Sequence, residues 1–226
     1  MGAIELETEQ LSDLYRNRFA ESELARKNDI WKVLCADYFQ QFIQPSDTVV
    51  DLACGYGEFI NNIQAGQRIA VDLNTDAMKF LGSDITFHHK NVLEFGSVLA
   101  EPADVVFTSN FLEHLPDKST LDTLLEQIHS ALKPGGKYLI MGPNLRYVPG
   151  KYWDFYDHHL GLTHLSLEEA LKLKGFEIET CIDRFLPFTT QGALPTHPLL
   201  VKLYLKVPLA WRLLGEQFFI IARKPS

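Results

Sequence analysis

The stretch that decides the fold is Val49-Val50-Asp51-Leu52-Ala53-Cys54-Gly55-Tyr56-Gly57-Glu58-Phe59. A short apolar run ends in an acid, passes through small residues, and leads into Phe59, Ile60 and Ile63 at helical spacing. That is the strand–turn–helix pattern of a nucleotide-binding α/β sheet. Gly55 and Gly57 let the backbone turn sharply and let a ligand lie against bare main chain. A helix after the turn would offer its unpaired N–H groups to a carboxylate or phosphate. Any tight βα turn also favours glycine, so the ligand must be read from the spacing and from the rest of the chain.

The spacing does not fit a dinucleotide fingerprint. In G-x-G-x-x-G the third glycine would fall on Ile60 counted from Gly55, or on Glu58 counted from Ala53. The residues present, Asp51-x-Ala53-x-Gly55-x-Gly57, resemble motif I of class I methyltransferases that use S-adenosylmethionine. Ala53 stands where that family usually carries glycine. The resemblance implies that Asp51, Ala53, Gly55 and Gly57 line the cofactor, with the turn beneath its methionine part.

Further segments follow in the family's order. Arg68 to Asn74 reads as a second strand ending in an acid, Asp72, about 20 residues beyond the first strand, where a carboxylate can accept both ribose hydroxyls. The resemblance places Leu73 at the same site. Thr75 or Asp76 can cap a short helix through Met78 and Leu81. A third strand, Ile85 to Lys90, runs into Asn91 and Val92, which resemble the segment that reads adenine, with Asn91 in place of the usual acid. There the Asn91 side-chain carbonyl would accept from the exocyclic amine, and the Val92 N–H would donate to a ring nitrogen.

The fourth strand, Asp104 to Ser109, is followed by Asn110-Phe111-Leu112-Glu113-His114-Leu115-Pro116, similar to the family's motif IV. Ligands in open α/β sheets sit beyond the carboxyl ends of strands, so Asn110, Leu112 and His114 should border the cofactor cleft. Leu121, Leu124, Leu125, Ile128 and Leu132 form an amphipathic helix. Lys133-Pro134-Gly135-Gly136 then turns the chain into the strand Tyr138 to Met141. Two further strands, Phe176 to Ile182 and Phe218 to Ala222, should form an antiparallel pair at the sheet edge. The expected fold is α/β: a Rossmann-like, doubly wound, mainly parallel seven-stranded sheet with an antiparallel last strand and an N-terminal helical cap. Residues 1–44 form the helical extension and 45–226 the methyltransferase domain.

Composition bounds the rest. The 226 residues, 46% hydrophobic, suffice for one good core. A net charge of −8 argues against a nucleic-acid partner, which needs a basic surface. Cys35, Cys54 and Cys181 are scattered, as in a reducing compartment. The acidic, polar N-terminus has no signal-peptide pattern and no apolar run reaches membrane-span length, so the chain reads as cytoplasmic.

Near the N-terminus, Leu11, Leu14, Tyr15 and Phe19 are sparse anchors. Ile30, Trp31, Leu34, Cys35, Tyr38, Phe39 and Phe42 recur at helical spacing and read as core; Arg18, Arg26 or Trp31 could also reach the cofactor. Two stretches exceed the shared fold. Residues 143–165 hold Tyr147, Tyr152, Trp153, Phe155, Tyr156, Asp157, His158 and His159 ahead of a helix announced by Ser166-Leu-Glu-Glu169. So long a connection, rich in aromatic and titratable side chains, suggests a substrate loop. In residues 186–215, Leu199, Leu200, Leu203, Tyr204, Val207, Trp211 and Leu214 mark apolar helical turns broken by Pro208. Extra core, a homodimer or lid surface, and peripheral membrane contact compete here, and the overall acidity favours core or lid.

These features imply S-adenosylmethionine as cofactor and methyl transfer to a small-molecule or glycan acceptor, with a hydroxyl as the expected target. The long loop and apolar tail also resemble, more loosely, bacterial methyltransferases of cell-surface glycan or secondary-metabolite pathways. Alternatives are a lipid-linked or macromolecular acceptor, or a module that senses the cofactor without turnover. A hydroxyl must lose its proton as the new bond forms, and His114, His158 and His159 are the imidazoles near the expected cleft. Glu113-His114 with His158 or His159 resembles part of the metal cluster of small-RNA 2′-O-methyltransferases. Asn110 replaces that cluster's first acid, so no metal is expected.

Overall fold

Along each central strand apolar side chains alternate between two faces, so both faces of the sheet must be covered. The computed structural model describes residues 21–188 and 197–226. Leu11, Leu14, Tyr15, Arg18 and Phe19, and residues 189–196 of the apolar stretch, lie outside the described residues. The strands are β1 (Thr48–Leu52), β2 (Gln67–Asp72), β3 (Thr86–His89), β4 (Ala103–Ser109), β5 (Leu132–Pro143), β6 (Glu177–Ile182) and β7 (Gln217–Arg223). They form one sheet in the order β3-β2-β1-β4-β5-β7-β6. The pairs among β1 to β5 are parallel, and β7 runs antiparallel to both β5 and β6.

On one face, Val50, Val71, Val106, Ile140 and Ile220 pack under α2 (Lys118–Ala131) and α3 (His164–Leu173). On the other, Val49, Ala70, Phe107, Leu139 and Phe219 pack under α1 (Glu21–Asp37) and α4 (Pro198–Leu205). The helix α2 buries Leu121, Leu124, Leu125 and Ile128, and Asp117 caps it by accepting the Thr120 N–H at 2.8 Å. Truncating Leu124, fully enclosed, to alanine would cost about 2–5 kcal/mol. Trp31 on α1 is buried against Phe39, Phe59 and Phe107 as core, while Arg26 is exposed.

Several local expectations shift. After β1 the chain makes consecutive turns through Asn62, not a regular helix. The Asn61 amide bonds Phe80 O and Gly82 N, and the Asn62 amide bonds Glu58 O, so these side chains engage backbone groups in place of a continuing helix ladder. The connection after β2 is a 3-10 helix (Thr75–Lys79) capped by Asn74, not by Thr75 or Asp76. The Lys133–Gly136 turn lies inside β5, where Gly135 takes φ +78° and the register to β4 shifts. The cap of α3 is Thr163, with Ser166 three residues on completing a reciprocal box.

Of the apolar stretch, α4 and α5 (Pro208–Leu214) are described, and their side chains divide between core and an exposed face. Val201, Tyr204, Leu205 and Trp211 join the core, but Leu199, Leu203, Leu209 and Leu213 face solvent. No described helix is long and apolar enough to cross a membrane.

Candidate active site

The parallel strands bring Leu52, Asp72, His89 and Ser109 to one edge of the sheet, and two groups of side chains collect there. The first surrounds the turn after β1. Ala53, Gly55 and Gly57 all take positive φ, at 56°, 57° and 75°. For Ala53 the left-handed conformation costs about 1–2 kcal/mol, which explains why glycine is favoured at that position. A Cβ on Gly55 would meet nothing nearer than Glu58 Oε2 at 4.0 Å, so bare main chain there borders open space. A Cβ on Gly57 would collide with Leu81 Cδ2, so that glycine serves packing. Of the two glycines, only Gly55 has open space where a Cβ would stand.

Asp72 links this turn to β2. Its Oδ2 accepts the Gly55 N–H at 2.8 Å and its Oδ1 the Asn74 N–H at 2.7 Å. Burial raises its pKa, while the N–H groups of Asn74, Gly55 and Leu73 draw it down. A carboxylate offers about four lone-pair sites, so capacity for ribose hydroxyls remains. Asn74, buried beside it, has an amide nitrogen without a partner among the described residues; the sequence pattern gave no sign of it. Leu73 is exposed at the same edge.

Asp51 is buried under the turn. Burial, and then the carboxylates of Glu58 and Asp72, push its pKa well up, against a hydrogen bond from the Ile60 backbone. Lys27 of α1 pairs with Glu58 at 2.7 Å and ties the front helix to the turn. Asn91 accepts the Leu93 N–H at 2.9 Å and so caps the 3-10 helix Val92–Val98, which occupies part of the carbonyl expected to read adenine. Val92 is buried, and its side chain belongs to the core.

The second group lies where β4 ends. Asn110 adopts φ 48° and donates its N–H to Met141 O at 2.9 Å, turning the chain into the 3-10 helix Leu112–His114. Leu112 is buried and packs into the core beside this turn. The Glu113 carbonyl accepts the N–H groups of His159 at 2.9 Å and Leu160 at 3.0 Å, which fastens the 143–165 loop to this turn. His114 Nδ1 lies 2.9 Å from Asp157 O and 3.3 Å from its Oδ2. The His158 ring stands edge-on to His114 at 5.0 Å and is stacked on Phe155 at 4.9 Å.

The loop's aromatics divide by role. Tyr152 is fully buried and braces the loop, donating its hydroxyl to Leu160 O and accepting the Leu162 N–H at 3.3 Å. Trp153 and Tyr156 are exposed. His159 is exposed and stands apart from the cluster, whereas His158 is buried within it. Glu113, His114 and His158 each offer a ligand atom within 4.8 Å of the others, close enough to hold a metal ion. Burial raises the Glu113 pKa, with His114 pulling in the opposite direction. Asp157, one of the titratable residues that marked the loop, also adjoins these rings, as does Phe188, which carried no pattern that sequence reading could detect.

A methyltransferase domain model matches residues 15–180. The chain belongs to the methyltransferase domain family. The open main chain at Gly55 beside the buried acceptor Asp72 fits S-adenosylmethionine, the cofactor that the motif resemblance implies. No curated protein matches this methyltransferase. Solved structures share its fold. One is a SAM-dependent methyltransferase from Archaeoglobus fulgidus, 21% identical, with 94% of this chain and 99% of that chain covered and a TM-score of 0.65. A second comes from a complex of the Haloferax volcanii Trm112 methyltransferase activator with a methyltransferase, at 17% identity, 99% and 100% coverage and a TM-score of 0.66. A third is the N-methyltransferase NodS from Bradyrhizobium japonicum WM9 with S-adenosyl-l-homocysteine, at 13% identity, 94% and 92% coverage and a TM-score of 0.59. Identities this low speak for the fold and not for the acceptor.

Proposed function

We propose that this methyltransferase transfers the methyl group of S-adenosylmethionine to a hydroxyl of a small-molecule or glycan acceptor seated over Glu113, His114 and His158. The supporting observation is the return of the 143–165 loop onto the turn after β4, which sets two imidazoles and a carboxyl together at the cofactor edge of the sheet. Bound S-adenosylmethionine supplies an electrophilic methyl group. Gly55 leaves room for its methionine part, Asp72 accepts from its ribose, and Leu73, Asn91 and the Val92 main chain border its adenine.

Methyl transfer is an in-line displacement, so positioning contributes most of the rate. A neutral imidazole can take the hydroxyl proton as the carbon–oxygen bond forms. His114 is suited to this because Asp157 engages Nδ1 and leaves Nε2 for the proton. His158 and the buried Glu113 back that ring. The test is release of S-adenosylhomocysteine with panels of alcohols, phenols, sugars and amines. Turnover with hydroxyl compounds supports the reading. Turnover restricted to amines removes the need for a base, and cofactor binding without turnover on any panel would favour a sensing role.

The proximity of the three ligand atoms favours a second reading, in which the cluster acts through a divalent cation. Three protein ligands with open positions are the mark of a catalytic metal site, and a cation there would polarise the acceptor oxygen. Glu113, His114 and His158 would hold it. Binding of Mn2+ followed by paramagnetic resonance, lost in Glu113→Gln, supports this reading; absence of binding to the parent protein rejects it.

A further inference from the structure

We propose that the α4–α5 hairpin is a docking face for an anionic lipid bilayer, holding the acceptor cleft at the membrane surface. The hairpin has a firm inner side. Tyr204 donates its hydroxyl to Phe185 O at 2.6 Å, Trp211 Nε1 donates to Tyr204 O at 2.8 Å, and both side chains join the core. Its outer side is apolar and open to solvent. Leu199, Leu200, Leu203, Val207, Leu209, Leu213 and Leu214 are seven of the fourteen exposed large apolar side chains among the described residues, with Leu199 at 68% and Leu213 at 71%. Exposed apolar side chains gathered on one short hairpin point to an interaction face.

The charge pattern selects the partner. From His197 to Gly215 the charged residues are Lys202, Lys206 and Arg212, with no acid, in a chain of net charge −8. Lys202 is engaged by Asp37 at 3.0 Å, while Lys206 and Arg212 are exposed beside the leucines. Leucines flanked by cations match acyl chains beneath anionic headgroups. A two-fold contact between copies would set like cations against each other. The helices, of 8 and 7 residues, suit lying in the interface, not spanning the bilayer.

The hairpin also adjoins the acceptor end. Glu216, directly after it, pairs with Lys151 at 2.9 Å and accepts the Asn144 N–H on its carbonyl at 3.0 Å, both from the 143–165 loop. Phe188 contacts Phe155 and His158 and donates its N–H to Glu216 Oε2 at 3.2 Å. Resting on the acceptor-cleft reading above, this continuity makes a lipid-anchored hydroxyl compound the acceptor class that fits.

The test is co-sedimentation of the full chain with vesicles of phosphatidylcholine alone and of equal parts phosphatidylcholine and phosphatidylglycerol. Binding is expected to the anionic vesicles and to weaken with salt. The Lys206→Gln/Arg212→Gln variant should bind on the order of 30-fold less tightly. The Leu209→Ser/Leu213→Ser variant, altered only at exposed positions, should lose binding while keeping cofactor affinity in calorimetry. Failure to bind anionic vesicles, or equal binding to both compositions, overturns the proposal. A concentration-dependent dimer abolished by the serine variant would overturn it too, by assigning the face to a second copy. Vesicle binding is independent of turnover, so this proposal and the acceptor reading can fail separately.

Discussion

The proposed donor and acceptor ends of the site are built from different materials. The proposed donor end offers main chain: a turn with three left-handed residues, bonded through Gly55 to Asp72 on the neighbouring strand. The proposed acceptor end offers side chains, and these come from two distant parts of the chain, with His114 and its partner Asp157 43 residues apart. Backbone turns depend on a few adjacent residues and leave a local pattern. A side-chain cluster depends on how a long loop folds back, which leaves none. The difference predicts that the two ends fail separately when mutated.

The largest effect is expected at the acceptor end. Replacing His114 or His158 by alanine should lower turnover by about a hundredfold or more and leave S-adenosylmethionine affinity unchanged. The exposed His159, replaced in the same way, should behave as the parent does. Steady-state rates with calorimetric cofactor affinities would check both. A fall in cofactor affinity in His158→Ala would show that the ends are coupled.

A smaller effect is expected at the donor end. Asp72→Ala removes a charge-assisted acceptor and should weaken cofactor binding by about 2 kcal/mol. Because Asp72 also accepts from Gly55 and Asn74, denaturant unfolding should reveal a loss of stability as well. If binding weakens with stability unchanged, the stitching of turn to strand has been overstated.

The glycine turn, the seven strands and the antiparallel edge were legible because short apolar runs and turn glycines are local signals. The regular helix expected after the turn was not, since Asn61 and Asn62 redirect hydrogen bonds through partners such as Phe80 that sequence spacing does not reveal. Gly55 and Gly57 look equivalent as letters; only the nearness of Leu81 separates them. At the acceptor end His158 and His159 are adjacent, and only the Glu113 carbonyl bonds fix which ring turns inward. Tyr152 illustrates the same limit: an aromatic in a substrate-like loop proves to be its buried brace.

The smallest effect concerns Asp51. Its folded-state pKa is raised by burial first and by Glu58 and Asp72 next, so the native protein holds that proton more tightly than the unfolded chain. The stability tied to this group is therefore full below the unfolded carboxyl pKa, near 3.9. It declines as pH rises toward the folded value. Asp51→Asn removes the titration, so urea unfolding across the acid-to-neutral range should show the parent losing stability relative to the variant as pH rises. A constant difference would mean that the Ile60 hydrogen bond offsets the burial.

Calorimetric titration of S-adenosylmethionine into the parent, His158→Ala and Gly55→Val proteins tests the division of labour most directly. A side chain at residue 55 has protein atoms no closer than 4.0 Å around its Cβ, so the variant should keep its fold, apart from the strain of a positive φ, while filling the space a ligand needs. The account predicts one cofactor bound per chain in the parent, the same affinity in His158→Ala, and no measurable binding in a folded Gly55→Val protein. Full affinity in Gly55→Val would contradict it and place the cofactor elsewhere.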